Sequence, residues 1–186
     1  MSKGCCIRRM IRLLQNWKNA HQLELLVLAI ILMIVIIITL RRKFAEKKVY
    51  KCSMLISGLY IAGFFYITVF SRKRGQVLEY NHEIFWSYRA ALVVGGYLEE
   101  IGLNILLFVP LGVIWGSLIK EGKKYFYLLI VIFGGVLSAC IEFLQYKWKC
   151  GFSEIDDVIS NFFGIILGII IWNLVHRQIK KDEKRT

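Results

Sequence analysis

The chain has 186 residues, of which 57% are hydrophobic, and its mean hydropathy is +0.56. This apolar content excludes an ordinary water-soluble domain, because too few polar side chains remain to cover its surface. The net charge of +12 comes from 25 Lys and Arg residues scattered over the short connections. That distribution indicates anchors at membrane headgroups and argues against a nucleic-acid-binding domain, so no nucleic acid partner is expected.

The sequence contains apolar segments that approach or exceed the roughly 20 residues a helix needs to cross a hydrocarbon core. In chain order, these five segments are 23–40, about 50–70, about 98–119, about 125–146 and about 155–175. A β-barrel would instead show alternating strands of about ten residues, which this sequence lacks. The prediction is an all-α polytopic membrane protein of one domain, with about five transmembrane helices.

The first segment follows a basic N-terminus, as the apolar region of a signal peptide does. It is long for such a region, and RRKFAEKK follows it in place of a small-residue cleavage site. We therefore expect a retained helix, preceded by an interfacial helix within residues 1–22. The expected organisation is an N-terminal region at 1–49 that holds this extra helix, a main transmembrane domain at 50–176 and a basic tail at 177–186.

The longest connection joins the second and third segments, over about residues 71–97. It contains Tyr80, Trp86 and Tyr88, and aromatic side chains of this kind concentrate at the membrane–water interface. We therefore expect the connection to lie along the headgroup layer.

The distribution of basic residues predicts an orientation. With five crossings, the N-terminal tail and the connections after the second and fourth segments share one side, which holds 11 Lys and Arg residues. The other side, which includes the C-terminus, holds 14. The positive-inside rule then places the C-terminus in the cytoplasm and the long connection outside, in a multi-pass protein of the plasma membrane.

The cysteines do not indicate a cofactor. Cys5, Cys6, Cys52, Cys140 and Cys150 show no C-x-x-C spacing and no accompanying cluster of histidines. Neither a zinc site nor a disulfide framework is predicted from this pattern, and no cofactor or metal is expected.

Polar residues occur in the predicted spans at one membrane face. An ionisable group at the centre of a spanning helix costs about 2.5 to 3.5 kcal/mol, so such groups normally face protein or water. Successive helices run in opposite directions, which places the start of the third segment, the end of the fourth and the start of the fifth in one leaflet. The sequence therefore predicts a polar pocket there. Its expected members are Glu100, Asn104, Glu142, Gln145, Glu154, Asp157 and Asn161.

The acidic residues of SEIDDVISNFFG also have a simpler interpretation. They precede or begin a helix, where the macrodipole favours negative charge. On this interpretation Glu154 and Asp156 are caps and solvated flanks. Asp157 and Asn161 lie one turn apart on one face, which favours a place in the pocket.

Pro110 and several glycines are expected to shape the helices. Pro110 removes a backbone hydrogen bond inside the third segment, which predicts a kink or a break there. Gly112 permits a close approach of another helix. Small residues that favour helix packing also occur in the fourth and fifth segments: Gly134, Gly135, Gly164 and Gly168.

Three motifs on successive segments, NILLFVPLG at 104–112, EFLQ at 142–145 and EIDDVISNFFG at 154–164, resemble the VanZ family of bacterial membrane proteins. The resemblance covers roughly residues 50–175 and leaves the first segment outside. Glu154 stands where an aspartate is expected, and Ile84 stands where a proline is expected. The family pattern falls on Asn104, Phe108, Pro110, Gly112, Glu142, Gln145, Asp157, Asn161 and Gly164, of which Phe108, Pro110, Gly112 and Gly164 are expected to be structural.

The resemblance implies a non-enzymatic protein of the cell surface that is linked to reduced susceptibility to teicoplanin-type lipoglycopeptides. The expected partners are membrane lipids and, at the pocket, a lipoglycopeptide antibiotic or a lipid-linked cell-wall intermediate. The alternative is a membrane-embedded enzyme that acts on such an intermediate, with Glu142 or Asp157 as general base. A carrier is also considered, although five helices without a repeat are few for alternating access.

Overall fold

The computed structural model describes residues 46–70, 80–81, 83–93, 96–119, 123, 125–149 and 153–183, together with Leu32, Val35, Ile36 and Thr39. The latter four residues are helical and exposed. The rest of the first predicted segment and the predicted interfacial helix at 1–22 lie outside the described residues, so those two expectations stay predictions.

The described part of the chain consists of helices joined by short connections. In chain order, the elements are α1 (Glu46–Phe65), a π-helical turn (Tyr66–Phe70), β1 (Tyr80–Asn81), α2 (Trp86–Ala91), α3 (Gly96–Leu118), α4 (Tyr125–Trp148), β2 (Ser153–Glu154) and α5 (Ile155–Glu183). The two-residue strands β1 and β2 pair in parallel.

The helices confirm the predicted all-α polytopic fold. Within the described residues, stretches that are long and apolar enough to cross a membrane are Lys48–Phe70, Tyr97–Leu118, Tyr125–Trp148 and Ile155–Lys181. Each includes most of a segment predicted from hydropathy. The share of the span that is buried is 61% for α3, against 28% for α1 and for α4. Helix α3 is therefore the central helix, and its Phe108, Leu111 and Ile114 are fully buried.

Glycines bring α5 directly against the backbone of α3. A methyl group added at Gly164 would overlap the carbonyl oxygen of Ile105, and one at Gly168 would overlap that of Val109. A methyl group at Gly112 would in turn overlap the carbonyl oxygen of Ile165. The first two pairs advance by one turn along both helices in the same direction, so α3 and α5 run parallel.

Other predicted packing glycines differ in how tightly they fit. A methyl group at Gly134 would overlap the side chain of Ile165, so α4 also packs closely against α5 at this position. At Gly135 it would meet only Phe162, at an ordinary distance of 3.7 Å. Close packing is therefore confirmed at Gly134, and Gly135 is not a site of close approach.

Pro110 does not break α3, which continues from Gly96 to Leu118. The proline has no N–H to donate to the carbonyl four residues earlier, that of Leu106. In the same turn the hydroxyl of Tyr60 on α1 donates to the carbonyl oxygen of Leu107 at 2.7 Å. A neighbouring helix thus adds a hydrogen bond to the carbonyl next to the one that the proline leaves without its usual donor.

We predict that Gly164→Ala and Gly168→Ala each lower the stability of the protein. The added methyl group overlaps main-chain atoms of α3, which can move only if the two helices separate, and such overpacking typically costs about 1 to 3 kcal/mol. The measurement is the apparent melting temperature of each purified variant in detergent.

Gly102→Ala is the matched control for this comparison. It lies in α3, and an added methyl group there would meet nothing within 4 Å. Because alanine has the higher helix propensity, this variant should melt at the same temperature as the wild type or above it. Equal melting temperatures for Gly168→Ala and Gly102→Ala would contradict the proposed contact between α3 and α5.

Candidate functional site

Polar side chains from several elements meet at one end of the bundle, where α1 and α4 end and α3 and α5 begin. We call this group the polar cluster. It consists of Ser87, Asn104, Ser138, Glu142, Gln145, Glu154, Asp156, Asp157, Ser160 and Asn161.

The contact between α3 and α5 at this end joins Asn104 to Asp157. The side-chain amide of Asn104 donates to the carboxylate of Asp157 at 2.5 Å, and both side chains are half-buried. The glycine contacts deeper in the bundle hold the two helices close enough for these short side chains to meet. The two motifs that contain these residues are therefore in direct contact.

The contact between α4 and α5 contains two further hydrogen bonds. The amide of Asn161 donates to the hydroxyl oxygen of Ser138 at 2.7 Å. One turn from Ser138 along α4, the buried carboxylate of Glu142 accepts from the backbone N–H of Glu154 at 3.2 Å. The residue directly before α5 is therefore anchored to α4 through a carboxylate that the sequence places in EFLQ.

Gln145 connects this end of α4 to α1. Its side-chain amide donates to the backbone carbonyl of Thr68 at 3.3 Å. Thr68 lies in the π-helical turn, whose backbone departs from the regular α-helical ladder. Gln145 and Thr68 are both buried, so the bond links the ends of two spanning helices inside the protein.

Asp156 holds the start of the short helix α2. Its two carboxylate oxygens accept from the backbone N–H groups of Phe85, at 2.6 Å, and of Ser87, at 2.7 Å. Phe85 is the N-cap residue of α2, has a φ of 63° and makes no capping bond with its own side chain. A carboxylate distant in sequence thus satisfies donors that the start of a helix leaves open.

Other contacts reinforce the attachment of α2. The hydroxyl of Ser87 donates to the carboxylate of Glu154 at 2.7 Å. Ser160 donates its hydroxyl proton to the carbonyl of Asp156, at 2.9 Å, so the hydroxyl of Tyr88 donates to Ser160, at 2.8 Å. Together with the pairing of β1 and β2, these bonds fasten the long connection to the start of α5.

The structure distributes the sequence-predicted residues unevenly. It brings together Asn104 with Asp157, and Glu142 with Glu154, whereas Glu100 is an exposed residue that directly follows the first turn of α3. The interpretation of Asp156 as a solvated flank is wrong, because its side chain is only 1% exposed. The functional role of the predicted set stays a prediction.

Sequence reasoning missed Ser87, Ser138 and Ser160 as members of the cluster. Two of these serines lie one helical turn from an acidic residue, which is the spacing that also relates Asp157 to Asn161. Ser160 follows Asp156, and Ser138 precedes Glu142. Helix α5 therefore has two polar faces. Asp156 and Ser160 face α2. On the other face, Asp157 contacts α3 and Asn161 contacts α4. Serine alone carries too little signal, because it is also common in membrane helices as a packing residue.

Asn161 retains an unused acceptor. Its side chain is 4% exposed, and its Oδ1 has no hydrogen-bond partner in the part of the chain that the structure describes. Buried polar atoms are rarely left in this state, so an open acceptor at a candidate site is a point where a ligand or a water molecule can bind. Among the described residues, no group of three or more His, Cys, Asp and Glu side chains is placed to hold a metal ion.

We predict that Asp156→Ala releases α2 from the bundle. The substitution leaves two buried N–H groups without acceptors, at a cost of roughly 1 to 3 kcal/mol each. Amide hydrogen exchange of residues 83–93 should become faster in the protein reconstituted into nanodiscs, while exchange in the centres of α3 and α5 stays slow.

Asp156→Asn should give an intermediate rate, since an amide retains one acceptor oxygen. Glu99→Gln is the control, because Glu99 is an exposed carboxylate on the neighbouring first turn of α3. Unchanged exchange in residues 83–93 of Asp156→Ala would contradict the assigned role of Asp156.

The family model described as VanZ/LLP1 matches residues 25–176. Protein VanZ of Enterococcus faecium is 25% identical over 130 residues, which cover 68% of this chain and 76% of that protein. No solved structure matches the chain.

The family match is wider than the resemblance carried by the three motifs. It begins at residue 25 and so includes the first hydrophobic segment, which the motifs had left outside. The proposed domain boundary between residues 49 and 50 stays a prediction. Since the match covers most of the chain and the described helices are long and apolar enough to cross a membrane, this protein is a VanZ-like membrane protein and belongs to the VanZ/LLP1 family.

Proposed function

We propose that this protein acts without catalysis at the bacterial cell surface and lowers susceptibility to teicoplanin-type lipoglycopeptide antibiotics. On this proposal, the polar cluster faces the outside of the plasma membrane and receives the polar part of an amphiphile. The acyl chain of that amphiphile lies in the outer leaflet, beside the helices. Family membership supports the proposal, and so does the similarity to Protein VanZ.

The observation that carries a binding role is the buried Oδ1 of Asn161, which accepts no hydrogen bond from the residues that the structure describes, although its neighbours in the cluster are hydrogen-bonded. A lipoglycopeptide has a peptide framework with N–H donors, which such an acceptor can bind. Buried acceptors discriminate strongly between ligands, because an unpaired polar group is costly in a low-dielectric site.

The engagement of the carboxylates supports the absence of catalysis. Asp156 and Glu154 accept from groups of α2, and Glu142 accepts from the backbone at the start of α5. A general base must instead reach a proton of the substrate. These carboxylates position helices, so we favour a role in forming the site over acid–base chemistry.

Orientation is the first test of the proposal. We expect the C-terminus to be cytoplasmic and the connection after α1 to be outside, because 14 of the 25 Lys and Arg residues lie on the C-terminal side. Single cysteines at Gln76 and Lys181, placed in a background without other cysteines, are exposed to a membrane-impermeant maleimide in intact cells. Labelling is expected at position 76 alone, and labelling at position 181 in intact cells would overturn the orientation.

Susceptibility is the second test. Deletion of the gene should lower the inhibitory concentration of teicoplanin. The change should be smaller for vancomycin, because the proposed ligand carries an acyl chain. The inhibitory concentrations of unrelated membrane-active compounds should not change. Complementation with the wild type should restore the inhibitory concentration of teicoplanin.

Asp157→Asn and Glu142→Gln test whether the charge of the cluster is used. Both variants keep the shape of the side chain and one acceptor oxygen for the bonds from Asn104 and from the backbone of Glu154, so their membrane levels should match those of the wild type while complementation fails. Glu99→Gln, which alters an exposed carboxylate, should complement fully. Full complementation by well-expressed Asp157→Asn and Glu142→Gln would assign these residues to helix capping and packing.

Purified protein distinguishes binding from the enzymatic alternative. Retention of teicoplanin by the reconstituted protein, without chemical change of the antibiotic or of a lipid-linked cell-wall intermediate, agrees with the proposal. Turnover of such an intermediate that is lost in Asp157→Asn or Glu142→Gln would establish the enzyme instead.

A further inference from the structure

The segment 84–93, which contains α2 and its flanking residues, has an apolar outer surface. Leu92 is 88% exposed and Val93 is 86% exposed, and Ile84 and Phe85 are each about half exposed. The side of the segment that faces the protein holds small side chains: Ser87, which is buried against Glu154 and Asp156, and Ala91 one turn later. A short helix docked on a protein in water would show the reverse arrangement.

The backbone of the segment suits an environment without water. Asp156 binds two N–H groups of the segment. The N–H of Trp86 donates to the carbonyl of Glu83, and the N–H of Arg89 donates to the carbonyl of Phe85. At the other end, the N–H groups of Leu92 and Val93 donate to carbonyls of α2. In hydrocarbon each such group must be satisfied within the protein, and a buried carboxylate supplies acceptors where the helix has none of its own.

The apolar surface continues into the lipid-facing side of the bundle. Leu98, on the first turn of the spanning helix α3, is also largely exposed. Trp86 of α2 packs edge-to-face against Tyr97, with ring centroids 5.2 Å apart, and both residue types are enriched at the membrane–water interface. The exposed ion pair between Glu83 and Arg89, at 3.1 Å, provides a polar edge to the segment.

We propose that segment 84–93 is inserted into the leaflet at the polar end of the bundle, with Leu92 and Val93 in contact with lipid acyl chains. Lipid fits this surface better than a second copy of the chain, because four exposed side chains supply far less than the roughly 800 Å² per partner of a standard protein interface. Insertion places the polar cluster beneath a lipid-embedded cover that Asp156 holds in place. This inference does not depend on the proposed function or on the orientation.

Collision measurements on spin-labelled protein test the insertion. Single cysteines replace Leu92 and Val93 in a chain whose native cysteines are changed to alanine, and the labelled protein is reconstituted into vesicles of phosphatidylethanolamine and phosphatidylglycerol. Leu55→Cys, on the exposed face of the spanning α1, is the lipid control, and Glu83→Cys is the aqueous control.

Labels at 92 and 93 should behave as the label at 55 does, with more frequent collisions with oxygen than with a water-soluble nickel chelate. The label at 83 should show the opposite. More frequent collisions with the nickel chelate at 92 and 93 would place the segment in water. Exclusion of both reagents there would mean that protein covers it, and either result overturns the proposal.

A second measurement uses the chain with its cysteines intact, in case their replacement prevents folding. Val93→Trp is compared with the wild type, so that the added fluorescence reports on position 93 alone. Lipids brominated in the acyl chain should quench that fluorescence, and aqueous iodide should not. Quenching by iodide, or quenching by neither reagent, would contradict insertion.

Discussion

The close approach of α5 to α3 is the constraint on which the rest of the structure depends. Gly164 and Gly168 present no side chain to α3, so the backbone of one helix lies against the backbone of the other. In a bilayer, apolar side chains gain little by leaving lipid for protein, and packing of this kind supplies much of the association between helices. Short polar side chains such as Asn104 and Asp157 meet only because their helices are already this close.

The start of α5 then organises the polar end of the bundle. Asp156 and Asp157 are neighbours in sequence but lie on different faces, so one binds the start of α2 and the other binds α3. Asn161 extends the second face to α4, and Glu154 contacts both α4 and α2. Two turns of one helix therefore hold three other helices in place, because hydrogen bonds in this setting have no competition from water.

This arrangement connects the structural role of the cluster with its proposed binding role. Hydrogen bonds between helices hold its members in place, and within the described part of the chain the buried Oδ1 of Asn161 has no hydrogen-bond partner. A rigid site with few free polar groups binds a ligand at a small entropic cost, since little in the protein must be ordered on binding. The same rigidity would hold α2 over the cluster, in the position proposed for its insertion into the leaflet.

The sequence by itself determined the fold class, the positions of the second to fifth hydrophobic segments and the meeting of the starts of α3 and α5 with the end of α4. Hydropathy and the alternation of helix direction are local or topological properties, and both can be read without coordinates. The continuity of α3 through Pro110 could not be read in this way, because a donor near the disturbed turn comes from Tyr60 on another helix.

The role of Asp156 also depended on tertiary structure. A carboxylate at a helix start normally satisfies its own helix or water, and nothing local distinguishes Asp156 from a solvated cap. Its partners, Phe85 and Ser87, lie about 70 residues earlier in the chain. Only the packing of α2 against α5 brings these backbone donors to the carboxylate, because hydrogen bonds between distant segments depend on a geometry that the whole fold creates.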